Sequence, residues 1–126
     1  MARIALIYKD PTTRTVLAFW LRYAGYDVAL CRCNEAACAL AERVRPDLVL
    51  IDYDLPEGHG PKVLAELRAA QGLRGVPILA LAATGAPGGP DQTALADGWL
   101  TKPCDFGALS IWLIRLLGSP LRGYVD

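Results

Sequence analysis

Charged side chains follow several short apolar runs in this sequence of 126 residues. Lys9 and Asp10 come after the first run, Asp52 directly follows Leu48-Val49-Leu50-Ile51, and Lys102 follows the last run. Side chains at the carboxyl ends of parallel strands meet at one edge of a sheet. There we expect the carboxylate of Asp52 to face the ammonium groups of Lys9 and Lys102. The sum of these three charges is positive before other neighbours are counted. The sequence therefore predicts a pocket that repels divalent cations.

The apolar runs alternate with segments of helical periodicity. Asp10 and Pro11 are typical of the N-cap and first residue of a helix, and Gly25 is typical of its end. The run at 48–51 shows no alternation, which is typical of a parallel strand covered on both faces. Strands are predicted at 4–7, 28–31, 48–51, 77–83 and 99–101, and helices after Asp10 and Asn34, from about Pro61, around 92–96 and at 105–117.

This alternation predicts an α/β domain with a doubly wound, five-stranded parallel sheet and five helices on its two faces. The expected domain covers residues 1–118, and residues 119–126 form a short C-terminal tail. No linker long enough to mark a second domain interrupts the pattern. We therefore expect a domain that stands alone, without a DNA-binding output domain.

The composition narrows the classes of partner. Thirteen basic side chains balance thirteen acidic ones, which gives no electrostatic reason to expect nucleic acid or an anionic membrane. No apolar run reaches the length of a membrane span, and the N-terminal run is too short for a signal peptide. We therefore expect a cytoplasmic protein whose four cysteines are reduced, small core residues.

Four segments of the chain resemble the CheY-like receiver domains of bacterial response regulators, which have a flavodoxin-like fold. The segments occur in order, with fitting separations, and span almost the whole chain. They are Asp10-Pro11-Thr12-Thr13-Arg14 with Leu17, Leu21 and Gly25-Tyr26; Pro46-Asp47-Leu48-Val49-Leu50-Ile51-Asp52-Tyr53-Asp54-Leu55-Pro56 with Gly60; Pro77-Ile78-Leu79-Ala80-Leu81; and Leu100-Thr101-Lys102-Pro103.

The resemblance implies roles for two of the charged residues. In this family, the aspartate that ends the third strand accepts a phosphoryl group from a histidine kinase, and Asp52 occupies that position. The family's lysine pairs with this carboxylate and later with the phosphoryl oxygens, and Lys102 matches it. The resemblance also implies that a cis peptide bond precedes Pro103.

The chain departs from the family at three positions. Typical receivers carry two acidic residues after the first strand, which hold Mg²⁺ together with the acceptor, whereas this chain has Tyr8 and Lys9. Tyrosine is a poor Mg²⁺ ligand and lysine has no acceptor atom. Ala82 replaces the usual Thr or Ser, whose hydroxyl donates to the phosphoryl group. Trp99 replaces an aromatic residue, often Tyr, that changes rotamer on activation.

Two alternatives remain open for Lys9: its ammonium takes the place of the metal beside Asp52, or its side chain points to solvent. Two further carboxylates could restore a metal site with Asp52. Asp10 is better explained as a helix cap. Asp54 lies two residues after Asp52, and its side chain can face the site. No metal is the favoured interpretation, and any ligands would come from Asp52, Asp54 and Asp10.

The last predicted helix is more apolar than one buried face requires. In receivers, the surface formed by the fourth helix, fifth strand and fifth helix binds partners or forms dimers. We therefore expect an interface, more specifically a homodimer, that includes Trp99, Trp112, Leu113 and Leu116. The alternative is that a small domain simply buries most of this helix.

The favoured function is that of a non-enzymatic, receiver-like domain in two-component (phosphorelay) signalling that acts by protein–protein contact and needs no cofactor. Its expected partner is a histidine kinase or a phosphotransfer protein. One alternative is an ordinary receiver phosphorylated on Asp52, with Mg²⁺ held by Asp10 or Asp54. A remote alternative is a flavodoxin-like FMN enzyme, for which the required glycine-containing phosphate loop is missing.

Overall fold

The apolar runs form five parallel strands in a single sheet. A computed structural model describes residues 1–34 and 36–118, and the predicted tail lies outside them. The sheet order is β2-β1-β3-β4-β5, which confirms the doubly wound architecture. The strands are β1 (Arg3–Ile7), β2 (Asp27–Leu30), β3 (Leu48–Asp52), β4 (Ile78–Ala82) and β5 (Gly98–Thr101).

In the described residues, four α-helices connect the strands and a fifth follows β5, as predicted. They are α1 (Pro11–Tyr23), α2 (Ala37–Val44), α3 (His59–Ala69), α4 (Pro90–Thr93) and α5 (Phe106–Leu117). The carboxylates of Asp10 and Asp105 cap α1 and α5 by accepting hydrogen bonds from the backbone amides of Thr13 and Ala108.

Three helix starts differ from the predictions. α3 begins at His59, two residues before Pro61, and α4 begins at Pro90 rather than near Gln92, because each proline already fits the first turn of a helix. Asn34 does not cap α2. Its side chain instead accepts a hydrogen bond from the amide of Ala36, which forms a local turn before the helix.

The sheet separates two apolar layers. α1 and α5 pack on one face, and α2 and α3 on the other. Every residue of β3 and β4 is buried, as the continuous apolar runs predict. Leu113 of α5 is fully buried in the first layer. The prediction that Leu113 contributes to an interface is therefore wrong, because this leucine faces the domain's own core.

None of the helices within the described part of the chain is both long and apolar enough to cross a membrane.

Candidate functional site

Asp52 ends the central strand at the point where the sheet order reverses. β3 pairs with β1 on one side and with β4 on the other, so Asp52 lies between the ends of these two strands. Its side chain is buried, with 3% of the residue exposed. Among the described residues it is the only buried charged side chain. A buried carboxylate is stable only when partners compensate its charge and satisfy its oxygens.

Three donors satisfy the Asp52 carboxylate. The Lys102 ammonium donates to Oδ1 at 2.5 Å, and the backbone amide of Asp54 donates to the same oxygen at 3.0 Å. The backbone amide of Lys9 lies 3.4 Å from Oδ2. A cis peptide bond joins Lys102 to Pro103, as the resemblance implies. The structure therefore brings together the two residues expected to form the acceptor pair.

Asp54 faces the site and forms a second ion pair with Lys102. Its Oδ2 lies 3.2 Å from the Lys102 ammonium and accepts a hydrogen bond of 2.6 Å from the backbone amide of Ala83. Burial alone lowers the pKa of Lys102. Hydrogen bonds and charge interactions with Asp52, followed by Asp54, outweigh this effect and raise the pKa above its ordinary value.

The Lys9 side chain forms no ion pair with this group. It is exposed, and within the described chain no carboxylate pairs with its ammonium. The alternative in which the Lys9 ammonium takes the place of a metal is therefore not what the structure shows. The predicted excess of positive charge also needs correction, because two carboxylates, Asp52 and Asp54, surround one ammonium group.

Tyr8 fills the space beside the ion pair. It is buried, and the Lys102 ammonium lies 5.0 Å from the centroid of its ring, which allows a cation–π interaction. Burial raises the pKa of Tyr8, while the positive charge of Lys102 opposes this shift. A bulky neutral ring thus lies where the family resemblance implies a carboxylate.

Asp10 is used as a helix cap. Its Oδ2 accepts hydrogen bonds from the hydroxyl of Thr13 at 2.7 Å and from the amide of the same residue at 2.8 Å. These bonds to Thr13 hold the pKa of Asp10 below its ordinary value. A carboxylate held in this way is directed toward the start of α1.

Ala82 is buried at the end of β4 and offers no hydroxyl. Nearby, Thr84 is exposed. The amide of Ala83, the next residue after Ala82, is the donor that binds Asp54. The end of β4 therefore contributes a backbone donor to the site rather than a side-chain hydroxyl.

Trp99 is half-buried and attached to α4. Its indole Nε1 donates to the carbonyl of Thr93 at 3.0 Å, and its ring meets the edge of Tyr53 at a centroid distance of 4.9 Å. The Tyr53 hydroxyl donates to Gln92 Oε1 at 2.8 Å. Sequence reasoning missed Tyr53 and Gln92. An aromatic residue directly after Asp52 was the available signal for the first, and none pointed to Gln92.

Asp52 and Asp54 are the carboxylates of this site. Mg²⁺ needs several oxygen ligands in near-octahedral geometry. Within the described residues, no group of three or more His, Cys, Asp or Glu side chains could hold a metal. The two carboxylates of the site already share the ammonium of Lys102. The site thus offers two carboxylates, whereas the family resemblance implies three for magnesium.

The predicted interface residues have different surroundings. Trp112 is half-buried, and its ring covers Gly98 so closely that a β-carbon there would lie 2.7 Å from it. Leu116 is half-buried against the core. The large apolar side chains of α5 that are exposed are Ile111 and Ile114, which sequence reasoning did not separate from their buried neighbours.

A family model described as the response regulator receiver domain matches residues 4–112. The DNA-binding dual master transcriptional regulator RpaA of Synechocystis sp. is 36% identical over 107 residues, which cover 83% of this chain and 44% of RpaA. The chain spans half the length or less of RpaA and of two mycobacterial regulators, TcrX and MtrA.

Solved structures show the same fold. One is the receiver domain of sensor histidine kinase PA1611 from Pseudomonas aeruginosa PAO1, which has a magnesium ion coordinated in its active-site cleft. It is 34% identical to this chain with a TM-score of 0.81, and the match covers 94% of this chain and 98% of that one. A structure of histidine kinase ThkA in complex with response regulator protein TrrA matches at 26% identity and a TM-score of 0.80, covering 93% and 99%.

Proposed function

We propose that this chain, which belongs to the response regulator receiver domain family of two-component signalling, passes its signal by protein–protein contact without magnesium-dependent phosphorylation of Asp52. In this proposal the domain is not an enzyme and needs no cofactor. The observation that carries the proposal is the double ion pair of Lys102 with Asp52 and Asp54.

The position of Asp54 supports the proposal. The resemblance to receivers implies that the lysine of the site contacts the phosphoryl oxygens once the acceptor is modified. Here the Asp54 carboxylate already binds the Lys102 ammonium and the Ala83 amide. A phosphoryl group on Asp52 would have to displace this carboxylate, and the two negative charges would repel each other at close range.

The first strand gives a second line of support. PA1611 coordinates magnesium in its cleft, whereas Tyr8 and Lys9 follow β1 in this chain. Phosphoryl transfer depends on positioning and on neutralising the developing charge, for which metal ions are commonly used. With a buried phenol and an exposed lysine in place of two carboxylates, no metal ligand at these positions supports this neutralisation.

The proposed partners follow from the family. They are a histidine kinase or a phosphotransfer protein, as in the complex of ThkA with TrrA, and a second copy of this chain bound through the region of α5. Nucleic acid and membrane are not among the proposed partners, because the net charge of the chain is zero. We also propose that the protein is cytoplasmic.

Intact mass spectrometry tests the proposal. The protein is incubated with phosphoramidate and Mg²⁺, beside an ordinary receiver that shows that the reagent is active. We expect no gain of a phosphoryl group by the wild-type chain. A stoichiometric, magnesium-dependent gain that disappears in Asp52→Asn would contradict the proposal.

A second candidate is an ordinary phosphoacceptor in which Asp54 helps to hold Mg²⁺. The inward position of the Asp54 carboxylate favours it. Under this candidate, Lys9→Asp changes magnesium affinity little, because the ligands are already present. If Lys9→Asp creates magnesium binding that the wild type lacks, this candidate fails. The family match leaves the flavin alternative without support.

A further inference from the structure

Large apolar side chains are exposed along one side of α1 and at the end of β2. Tyr23 is 84% exposed, Phe19 72%, Leu30 52% and Val16 49%. Val16 lines a separate cavity, beside Cys104 and Phe106. On α1, Phe19 and Tyr23 are four residues apart, a spacing that places them on one face. A contiguous apolar face of this kind on a small domain is typical of an interaction site.

Phe19, Tyr23 and Leu30 border a groove between α1 and the edge of the sheet. The groove has a volume of about 480 Å³ and is lined by Thr15, Ala18, Phe19, Arg22, Tyr23 and Leu30. β2 is an edge strand. Its outward carbonyl at Val28 already accepts a hydrogen bond of 3.1 Å from Arg22. Because Arg22 covers the edge, a partner strand is a poorer fit for this groove than a helix.

The same surface is basic. Arg14, Arg22 and Arg32 surround Leu30, and in the described chain no carboxylate lies within 4.0 Å of their guanidinium groups. Arg14 and Arg22 contact backbone carbonyls, which do not neutralise them. Asp27, the carboxylate of β2, is paired with Arg3 at 2.8 Å. The hydrogen bond from Arg3 and, to a lesser extent, the charge of Arg22 hold the pKa of Asp27 below its ordinary value.

We propose that this α1–β2 surface (residues Arg14, Phe19, Arg22, Tyr23, Leu30 and Arg32) docks an acidic amphipathic helix of a partner protein. The apolar face of the helix packs against Phe19, Tyr23 and Leu30, and its carboxylates pair with the arginines. This inference goes beyond the proposed function, since it does not depend on the state of Asp52.

Charge separates this partner from a second copy of the chain. In a symmetric dimer the same patch meets itself. Two α1–β2 surfaces would then bring their arginines together, and like charges at an interface oppose association. An acidic helix instead supplies the opposite charge. The homodimer proposed for the region of α5 concerns a different helix.

A synthetic peptide tests the inference. The probe is an acidic helical peptide with leucines at positions i, i+3, i+4 and i+7 and glutamates between them, and the control is a scrambled peptide of the same composition. Binding is followed by amide chemical shifts of the full chain. We expect shifts centred on α1 and β2 and a loss of affinity on raising the salt concentration.

Matched variants locate the site. Phe19→Ser and Arg22→Glu should each weaken peptide binding at least tenfold, whereas Ile111→Ser, which removes an exposed side chain of α5, and Asp52→Asn should leave it unchanged. The inference would be overturned if the acidic peptide did not bind, if the scrambled peptide bound equally well, or if the shifts were centred on α5. Self-association of the chain through α1 would also overturn it. Anionic lipid vesicles that bind in place of the peptide would do the same.

Discussion

The site around Asp52 and the α1–β2 surface differ in how their charges are compensated. In the site, Lys102 binds Asp52 and Asp54, and both carboxylates also accept hydrogen bonds from backbone amides. On the surface, three arginines lack a carboxylate partner among the described residues, and large apolar side chains face solvent. Groups that satisfy one another stabilise the fold and have little left for a ligand, whereas exposed groups contribute little to the fold and are available to a partner.

Gly60 offers the strongest test of the stability of the region around the site. A β-carbon on this buried residue would lie 1.8 Å from the Tyr53 carbonyl oxygen, so the segment that follows Asp52 would have to move. We expect Gly60→Ala to lower the free energy of unfolding by about 3 kcal/mol, measured by urea denaturation. Gly88→Ala, where nothing lies within 4 Å, is the control. Equal stability of the two variants would contradict the close approach.

Lys102→Met removes the shared cation and leaves two carboxylates close together. We expect a loss of about 2 kcal/mol at neutral pH, less than for a fully buried pair because 21% of the Lys102 side chain is exposed. Lys62→Met, at an exposed position of α3, is the control. A gain in stability would show that the carboxylates do not depend on Lys102.

The stabilisation by Lys102 should also depend on pH. Its pKa is raised in the folded state, so folding favours the protonated amine. This contribution is complete below the pKa of an unfolded lysine and is lost as the pH rises through the folded pKa. We therefore expect the difference between the wild type and Lys102→Met to stay constant from neutral to mildly alkaline pH and to shrink at strongly alkaline pH. A difference that grows at strongly alkaline pH would contradict a raised pKa of Lys102 in the folded state.

Tyr53→Phe removes the hydrogen bond that joins the segment after Asp52 to α4. The lost bond from the hydroxyl to Gln92 should cost about 1 kcal/mol, with faster hydrogen exchange in α4. Tyr23→Phe removes the hydroxyl of an exposed tyrosine and serves as the control. Unchanged exchange in α4 would mean that this bond does not hold the helix.

The α1–β2 surface should show the smallest effect. Phe19→Ser should change the free energy of unfolding by no more than about 0.5 kcal/mol, because the ring is mostly exposed. Leu21→Ser, at a fully buried position of the same helix, should destabilise the protein strongly. A large loss for Phe19→Ser would mean that this ring supports the fold and would remove the contrast between the two regions.

The sequence predicted the strands because burial on both faces produces runs without polar alternation. Leu48 to Ile51 is such a run, and all of β3 is buried. The cap at Asp10 was also predictable, since it depends on neighbours three residues away. The resemblance placed Asp52 and Lys102 at one edge of the sheet, where they meet.

The directions of single side chains could not be predicted. Asp54 turns inward because the amide of Ala83, 29 residues later in the chain, binds it, and no local pattern encodes that contact. Lys9 is exposed and forms no ion pair in the described chain, whereas its sequence position left two alternatives open. On α1, Val16 is half exposed although its neighbour Leu17 is buried. Leu113 shows the opposite error, because an excess of apolar residues does not reveal which of them face the sheet.

The central claim is that the residues around Asp52 do not hold magnesium, and a magnesium titration followed by amide chemical shifts tests it most directly. The wild type is compared with Lys9→Asp and with Lys62→Asp, which makes the same change of charge away from the site. We expect no saturable shifts near Asp52 in the wild type or in Lys62→Asp. Saturable binding by the wild type, with shifts centred on Asp52 and Asp54, would contradict the account.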